Sequence, residues 1–91
     1  MKLFGVIYTM LDIELSNMKR PEHIAFLQRL REQGRIETGW KFPHYERGAI
    51  QGTIICRGES SQEVASWFME DPVVLAGART FEVREALPMS I

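Results

Sequence analysis

The spacing of hydrophobic and polar residues along the chain predicts four strands. Residues 2–9 are rich in apolar and β-branched side chains and are typical of a first strand. Apolar and polar residues alternate strictly over residues 35–42, which favours a second strand. One face of that strand carries Ile36, Thr38, Trp40 and Phe42, and the other carries Arg35, Glu37, Gly39 and Lys41. Residues 49–57 and 80–86 form the third and fourth strands, and a turn over residues 43–48 joins the second to the third as a hairpin.

Apolar residues at helical spacing predict two helices. The first covers residues 21–33, where Pro21 suits a first helical position and Gly34 a C-terminal stop. Its buried face consists of His23, Phe26, Leu27 and Leu30. The second begins after Ser60, which matches a capping box with Glu63, and runs to about residue 70. Its stripe of recurring positions carries Val64, Trp67, Phe68 and Asp71.

Two connecting segments show no periodicity. Residues 10–20 form a connector of mixed polarity. For this connector we expect a loop that is either held down by its apolar residues or acts as a lid over a site. Residues 73–78 form a short apolar segment before the last strand.

The predicted order β-α-β-β-α-β over a single domain, residues 1–91, is typical of an α+β fold, the ferredoxin-like sandwich. Two helices would cover one face of an antiparallel sheet. Both faces of the first strand are largely apolar, however, with Phe4, Val6 and Tyr8 on one side and Leu3, Gly5 and Ile7 on the other. Because a large exposed apolar face usually binds a partner, we expect a homodimer joined through the sheet.

The composition is that of an ordinary globular domain and argues against several classes of function. The chain is 45% hydrophobic and has a net charge of −1. This balance offers no basic field to nucleic acid and no polybasic patch to a membrane, so we expect neither partner. Cys56, the single cysteine, can form neither an internal disulfide nor a cysteine-rich zinc site. With no bilayer-length apolar run and no signal-peptide pattern, we expect a cytoplasmic protein.

His23 and Asp71 are the strongest candidates for a chemical role. The N-terminal dipole of the first helix disfavours a proton on His23, and a neutral imidazole is the state that a general base needs. Asp71 lies at the end of the second helix, before Pro72. Because the two helices run antiparallel, both residues fall at one edge of the sheet, where the carboxylate would orient the imidazole. A core histidine bonded to a backbone carbonyl, and an aspartate that caps the following turn, remain the alternatives.

Two short motifs resemble the YCII-related (YciI-like) family. Residues 20–23 read Arg-Pro-Glu-His, similar to that family's R-P-x-H core, and its following positions are matched by Leu27, Leu30, Gly34 and Arg35. Residues 70–73 read Glu-Asp-Pro-Val and, with Ala76 and Gly77, resemble the family's D-P-[YF]-V-x-A-G segment. Glycines after the second strand and in the third also match in order, so the resemblance covers nearly the whole chain.

The resemblance implies a dimeric α/β-barrel, in which a ferredoxin-like domain closes against its twin. It also implies a cleft between helices and sheet with a catalytic dyad, which here would be His23 and Asp71. Characterised members and relatives act without a cofactor on small cyclic or aromatic compounds, for example in dehydrochlorination and isomerisation. We therefore expect a small-molecule ligand and no cofactor.

Four further residues are candidates for substrate binding. Arg20 would hold an anionic group. Tyr8, at the end of the first strand, would donate a hydrogen bond at the same edge, with a packed sheet tyrosine as the alternative. Trp40 and His44 lie where the sequence departs from the family pattern and would shape the mouth of the cleft, although a turn histidine can also be simply solvated. No metal-ligand spacing supports a metal site among the histidines and Asp71.

These observations support one main functional hypothesis and leave alternatives open. The main hypothesis is a cofactor-independent enzyme of the isomerase, lyase or dehydrohalogenase type, in which His23 moves a proton and Asp71 orients it. One alternative is a non-catalytic ligand-binding or assembly module of the same fold. Another is a relative of muconolactone isomerases or of cofactor-free monooxygenases.

Overall fold

The computed structural model describes all 91 residues and contains four strands and four helices. In chain order they are β1 (Lys2–Met10), α1 (Ile13–Met18), α2 (Arg20–Glu32), β2 (Ile36–Lys41), β3 (Ile50–Gly58), α3 (Ser61–Phe68), α4 (Pro72–Leu75) and β4 (Arg79–Ala86). The predicted α+β class and the β-α-β-β-α-β order are confirmed, with α1 and α4 as additional short helices. None of the helices combines the length and the hydropathy that a membrane crossing requires.

Strand β1 lies inside a four-stranded sheet of order β2-β3-β1-β4. It pairs with β3 on one side and with β4 on the other, and all three pairings in the sheet are antiparallel. Tyr8 lies opposite Gly52 of β3 and Phe81 of β4, so these three positions share one face of the sheet. This is the face that the helices cover.

The hydrophobic core lies between this face and the helices α2 and α3. Strand β1 contributes Phe4, Val6 and Tyr8, none of them more than 2% exposed. Phe68 of α3 packs edge-on against Phe26 of α2, with the ring centroids 5.6 Å apart. Full burial of one side chain of this size contributes about 1.5–3 kcal/mol to stability. The buried face of β1 therefore decides which side of the sheet the helices occupy.

The connector over residues 10–20, for which the sequence led us to expect a loop, contains the helix α1. Asp12 has an extended backbone and accepts a hydrogen bond from the Leu15 N–H at 3.0 Å, which makes it an N-cap. Glu14 adds a negative charge to the first turn, where the helix dipole favours it. The prediction was wrong because six residues are too few to show a hydrophobic period, although Asp12 was a readable start signal.

The second predicted helix is divided before Asp71. Helix α3 ends at Phe68, and Asp71 is the N-cap of α4 rather than a residue of α3. Its backbone is extended, with φ −63° and ψ 127°, as is usual for a residue before proline. Its Oδ1 accepts a hydrogen bond from the Val73 N–H at 3.2 Å. The alternative of a capping aspartate is thus confirmed, and the apolar segment over residues 73–78 begins as helix.

A bulge breaks the strict alternation that was predicted for the second strand. Ile36 pairs with Cys56, whereas Thr38 pairs with the next residue of β3, Ile55. The extra residue on β2 places Thr38 and Trp40 on the sheet face opposite to that of Ile36. These three residues therefore do not share a face as the alternation predicted.

The second face of the sheet lies outside the core, and we call it the open face. By the strand register its centre presents Leu3, Gly5, Ile7 and Ile55, and around them lie Thr38, Trp40, Thr53, Arg57, Thr80, Glu82, Arg84 and Ala86. Leu3, Ile7 and Ile55 are partly buried by their neighbours, and Trp40 is 60% exposed. Strand β1 thus has apolar residues on both sides, as its sequence predicted.

Candidate functional site

His23 and Asp71 meet at one edge of the domain. His23 lies in the first turn of α2 and is 7% exposed, while Asp71 caps α4 and is fully buried. The His23 Nδ1 lies 2.9 Å from both carboxylate oxygens of Asp71. The contact follows from the packing of α2 against α4, which joins residues 48 positions apart in the sequence.

Asp71 receives hydrogen bonds from three directions. The Tyr8 hydroxyl donates to Oδ2 at 2.5 Å and the Val73 N–H donates to Oδ1, while His23 Nδ1 approaches both oxygens. Burial, and next the negative charge of Asp71, raise the pKa of Tyr8 well above its ordinary value. Tyr8 therefore keeps its proton and stays a donor, and the carboxylate is held in one orientation.

Arg79, the first residue of β4, lies at the other nitrogen of the His23 ring. Its Nη1 is 3.4 Å from His23 Nε2, a long contact. The Asp71 carboxylate only accepts hydrogen bonds, so the contacts at 2.9 Å place a proton on Nδ1; the guanidinium only donates, so Nε2 takes part in the long contact as an acceptor. The ring proton is then on Nδ1 and is donated to Asp71. In this tautomer the single lone pair of Nε2 faces Arg79 Nη1, and Nε2 accepts a proton from a substrate only when that long contact gives way.

Two neutral side chains hold the Arg79 guanidinium. Its Nε donates to Ser16 Oγ at 2.9 Å, and its Nη1 donates to Gln51 Oε1 at 3.1 Å. Arg79 is 6% exposed, and burial lowers the pKa of its guanidinium from the usual value. Helix α1 and strand β3 thus each contribute one side chain to the position of Arg79.

Sequence reasoning missed Arg79, Ser16 and Gln51. A signal existed for Arg79, since the alternation of the last strand puts it on the same face as Phe81 and Val83, but the predicted strand began one residue too late. Ser16 belongs to the helix that was not predicted. Gln51 is buried because of a bulge in the β1–β3 pairing, and no pattern in the sequence indicates that bulge.

A cleft with a volume of about 250 Å³ lies beside His23, between α2 and the hairpin of β2 and β3. Its apolar lining consists of Ile24, Leu27 and Ile54, together with Tyr8 and Trp40. Its charged or titratable lining consists of His23, Arg20, Lys41 and Arg79. Pockets for drug-sized ligands are roughly 300–1,000 Å³, so this cleft suits a smaller compound, about the size of a substituted ring.

The structure places three of the four predicted substrate-binding residues at this cleft. Arg20, Tyr8 and Trp40 line it, although the strand register puts Trp40 on the open face, so that it contributes only to the rim. His44 is an exposed residue of the loop between β2 and β3 and does not line the cleft. Asp71 lies behind His23 and Tyr8 and contacts the cleft only through them.

Cys56, the single cysteine, is a core residue of β3. It is fully buried, and burial raises the pKa of its thiol to about 12. A thiol that stays protonated at neutral pH is a poor nucleophile and a poor metal ligand. No group of three or more His, Cys, Asp or Glu side chains is arranged to hold a metal ion.

Known proteins resemble this chain in sequence. The family sequence model of the YCII-related domain matches residues 2–90. Over 64 residues the chain is 34% identical to Protein YciI of Escherichia coli and of Shigella flexneri. The alignment covers 64% of this chain and 65% of each relative. The chain thus spans just under two thirds of the length of these curated relatives.

A solved structure has the same architecture. It is 5-chloro-2-hydroxyhydroquinone dehydrochlorinase from Burkholderia phenoliruptrix AC1100, in complex with 2,5-dihydroxybenzoquinone. The TM-score is 0.73 at 22% sequence identity, with 90% of each chain covered, which establishes a common fold. Because the family match extends over nearly the entire sequence, this chain belongs to the YCII-related family.

Proposed function

We propose that this protein is a cofactor-independent enzyme in which His23 performs general acid–base chemistry on a small cyclic or aromatic compound. The observation that carries the proposal is the buried pair of His23 and Asp71 beside a cleft that His23 lines. Isomerases, lyases and dehydrohalogenases need a group that takes a proton from the substrate and returns it elsewhere. A positioned imidazole with an unprotonated nitrogen is such a group.

The two neighbours of His23 have opposite effects on its protonated form. When Nε2 accepts a proton, the Asp71 carboxylate stabilises the imidazolium through the Nδ1–H. The positive charge of Arg79, 3.4 Å from Nε2, destabilises the same imidazolium. His23 thus lies between a carboxylate that orients its ring and a cation beside its reactive nitrogen. Tyr8 contributes by fixing the carboxylate that orients the ring.

The relation to a dehydrochlorinase of the same fold supports this class of reaction. That enzyme's structure holds 2,5-dihydroxybenzoquinone, a single substituted ring. The cleft described above, at about 250 Å³, has a volume suited to one ring. We extend the ring-shaped substrate to this protein as part of the proposal.

A comparison of variants tests the role of His23. A panel of small lactones, quinones and halogenated phenols is screened for turnover, and the active compound is assayed with His23→Ala and Asp71→Asn. We expect His23→Ala to lower kcat roughly 10²–10⁴-fold. Asp71→Asn keeps the shape but loses the charge, so its loss of kcat is smaller. His44→Ala, an exposed residue away from the cleft, is the matched control and keeps the wild-type rate.

The outcome that contradicts the proposal is turnover by His23→Ala at the wild-type rate. Other residues of the cleft would then perform the chemistry. Circular dichroism of each variant separates loss of activity from loss of fold.

A non-catalytic ligand-binding module is the second candidate function. It is favoured by the fact that every buried polar side-chain atom has a hydrogen-bond partner, so the site is stable without a substrate. This candidate predicts that compounds bind in the cleft without turnover. It also predicts that His23→Ala lowers the melting temperature and changes no rate.

We also propose that the protein is a cytoplasmic homodimer joined through the open face of the sheet. Leu3, Ile7 and Ile55 form a half-buried apolar surface there, and the largest exposed side chain beside it is Trp40. A second copy on this surface would complete a dimeric α/β-barrel. The buried, unpaired thiol of Cys56 is compatible with a reducing compartment.

A further inference from the structure

We infer that the cleft selects small anionic compounds, and that Nη2 of Arg79 binds the anionic oxygen of the ligand next to His23. The inference rests on the proposed function, because it names the substrate class of the same site. The anionic group is a carboxylate, an enolate or a phenolate, all of which present a charged oxygen to a guanidinium.

The charges that line the cleft are all positive. Arg20, Lys41 and Arg79 line it, and no aspartate or glutamate does. The chain as a whole has a net charge of −1, so the positive lining is a local segregation of charge and not a property of the whole surface. A cleft lined by charges of one sign concentrates ligands of the other sign.

Arg79 is the buried member of this set and has no carboxylate partner. Its hydrogen bonds go to the neutral side chains of Ser16 and Gln51, and its long contact goes to the imidazole of His23. None of the ion pairs of the chain includes Arg79. The Asp71 carboxylate acts on this guanidinium only from a distance, across the His23 ring, and a bound anion would place a second negative charge in direct contact with it.

The Nη2 atom of Arg79 is available to a ligand. The hydrogen bonds of the guanidinium use Nε and Nη1 only. No fully buried side-chain nitrogen lacks a partner, so Nη2 keeps some contact with solvent although Arg79 is only 6% exposed. Since Arg79 lines the cleft, an anion that binds Nη2 lies in the cleft and near the His23 Nε2.

This position gives the cation a role in the proton transfer. When His23 Nε2 removes a proton from a ring carbon next to a carbonyl, the C–H electron pair moves to the carbonyl oxygen and forms an enolate. The guanidinium stabilises the negative charge on that oxygen. The imidazolium then returns the proton to another ring atom. The oxygen and His23 both become neutral again, and the step needs no other reactant.

The first experiment uses the wild-type protein and a pair of probes that differ in charge and little in shape. Benzoate and benzamide are titrated separately by calorimetry. We expect benzoate to bind on the order of 10-fold or more tightly than benzamide, because a hydrogen bond to a charged group is the stronger one. Added salt weakens the binding of benzoate and not that of benzamide.

A second probe separates a carboxylate site from a phenolate or enolate site. 4-Nitrophenol absorbs visible light strongly only as the phenolate, so its absorbance reports which form is bound. We expect bound 4-nitrophenol to ionise at lower pH than the compound in solution. If benzoate binds and 4-nitrophenol does not shift, the anion taken by the site is a carboxylate.

Variants assign the binding to the cleft. Arg79→Gln weakens benzoate binding on the order of 10- to 100-fold and leaves benzamide binding unchanged. Lys41 is exposed and tolerates substitution, and Lys41→Gln weakens benzoate binding about 2- to 5-fold. If Arg79→Gln fails to fold, this variant still decides whether the positive lining of the cleft selects anions. Arg31→Gln, at an exposed position of α2 outside the cleft, is the matched control and changes neither affinity.

Equal affinity for benzoate and benzamide, or binding of neither at millimolar concentration, overturns the inference. Its failure can be told from failure of the proposed function. Turnover that depends on His23 without any preference for anions removes the inference alone. Preference for anions that depends on Arg79, in a protein whose turnover does not depend on His23, removes the proposed function alone.

Discussion

Tyr8 belongs both to the hydrophobic core and to the site. Its ring is 1% exposed and packs edge-on against Phe68 and His23, while its hydroxyl donates to Asp71. The sequence left two roles open, a donor at the site or a packed sheet residue, and the structure shows a packed ring with a donor at its tip. The core thereby fixes the carboxylate that orients His23.

Replacement of Tyr8 by phenylalanine keeps the ring and removes the hydroxyl. Asp71, buried and charged, loses its short hydrogen bond, and we expect the free energy of unfolding to fall by about 1.5–3 kcal/mol at pH 7. Tyr45→Phe, in the loop between β2 and β3, is the control and should change stability by less than about 0.5 kcal/mol. Urea unfolding followed by circular dichroism measures both.

The stability difference between wild type and Tyr8→Phe should depend on pH in one direction. The pKa of Tyr8 in the folded protein is raised above its ordinary value of 10.0. The contribution of the hydroxyl is therefore complete below about pH 10, and it is lost as the pH rises through the folded-state value. A difference that grows above pH 10 would contradict the assigned hydrogen bond.

At the scale of elements, the short helices α1 and α4 place the polar groups of the site. Helix α4 begins at Asp71, and its cap fixes the backbone from which the carboxylate reaches His23. Helix α1 carries Ser16, which is 1% exposed and binds Arg79. Neither helix has enough residues to be stable alone, so both depend on their caps and on the packing around them.

The cap of α1 can be tested by Asp12→Ala. Loss of the hydrogen bond to the Leu15 N–H should lower the free energy of unfolding by about 1 kcal/mol, within a usual range of about 0.5–2 kcal/mol for N-caps. Asn17→Ala, exposed in the same helix, is the control for a change of helix propensity alone. Equal losses in the two variants would show that the cap does not stabilise α1.

At the scale of the whole molecule, the helices leave the open face of the sheet uncovered. Strand β1 has apolar residues on both faces, and only the face with Phe4, Val6 and Tyr8 belongs to the core. Polar residues normally occupy the solvent side of a sheet covered on one side only. The apolar residues Leu3, Ile7 and Ile55 on that side are therefore the basis of the proposed homodimer.

Sedimentation at micromolar concentration tests the homodimer. We expect wild type to sediment with about twice the chain mass, and Ile7→Lys to sediment as a monomer because a charge would be buried in the interface. Gln28→Lys adds the same charge at an exposed position of α2 and should leave the dimer intact. A wild-type protein that sediments as a monomer would refute the proposal.

The local pattern of the sequence determined the order of the main elements, the buried faces of β1, α2 and α3, and the meeting of His23 with Asp71. The reason is that periods of 2 and 3.6 residues encode which face of an element is buried. Element order and antiparallel packing then place the ends of helices. The pattern misplaced one part of the pair: the helical stripe assigned Asp71 to the end of the second helix, whereas α3 ends at Phe68 and Asp71 is the N-cap of α4.

Only the tertiary structure decided which polar residues join that pair. Arg79, Ser16 and Gln51 come from β4, α1 and β3, and their contacts join residues 63 and 28 positions apart. Such contacts depend on strand register and on bulges, since one extra residue in a strand turns a side chain from one face to the other. The bulges at Gln51 and in β2, and the six residues of α1, leave no periodic trace in the sequence. The positive lining of the cleft therefore emerges only when the sheet and helices are assembled.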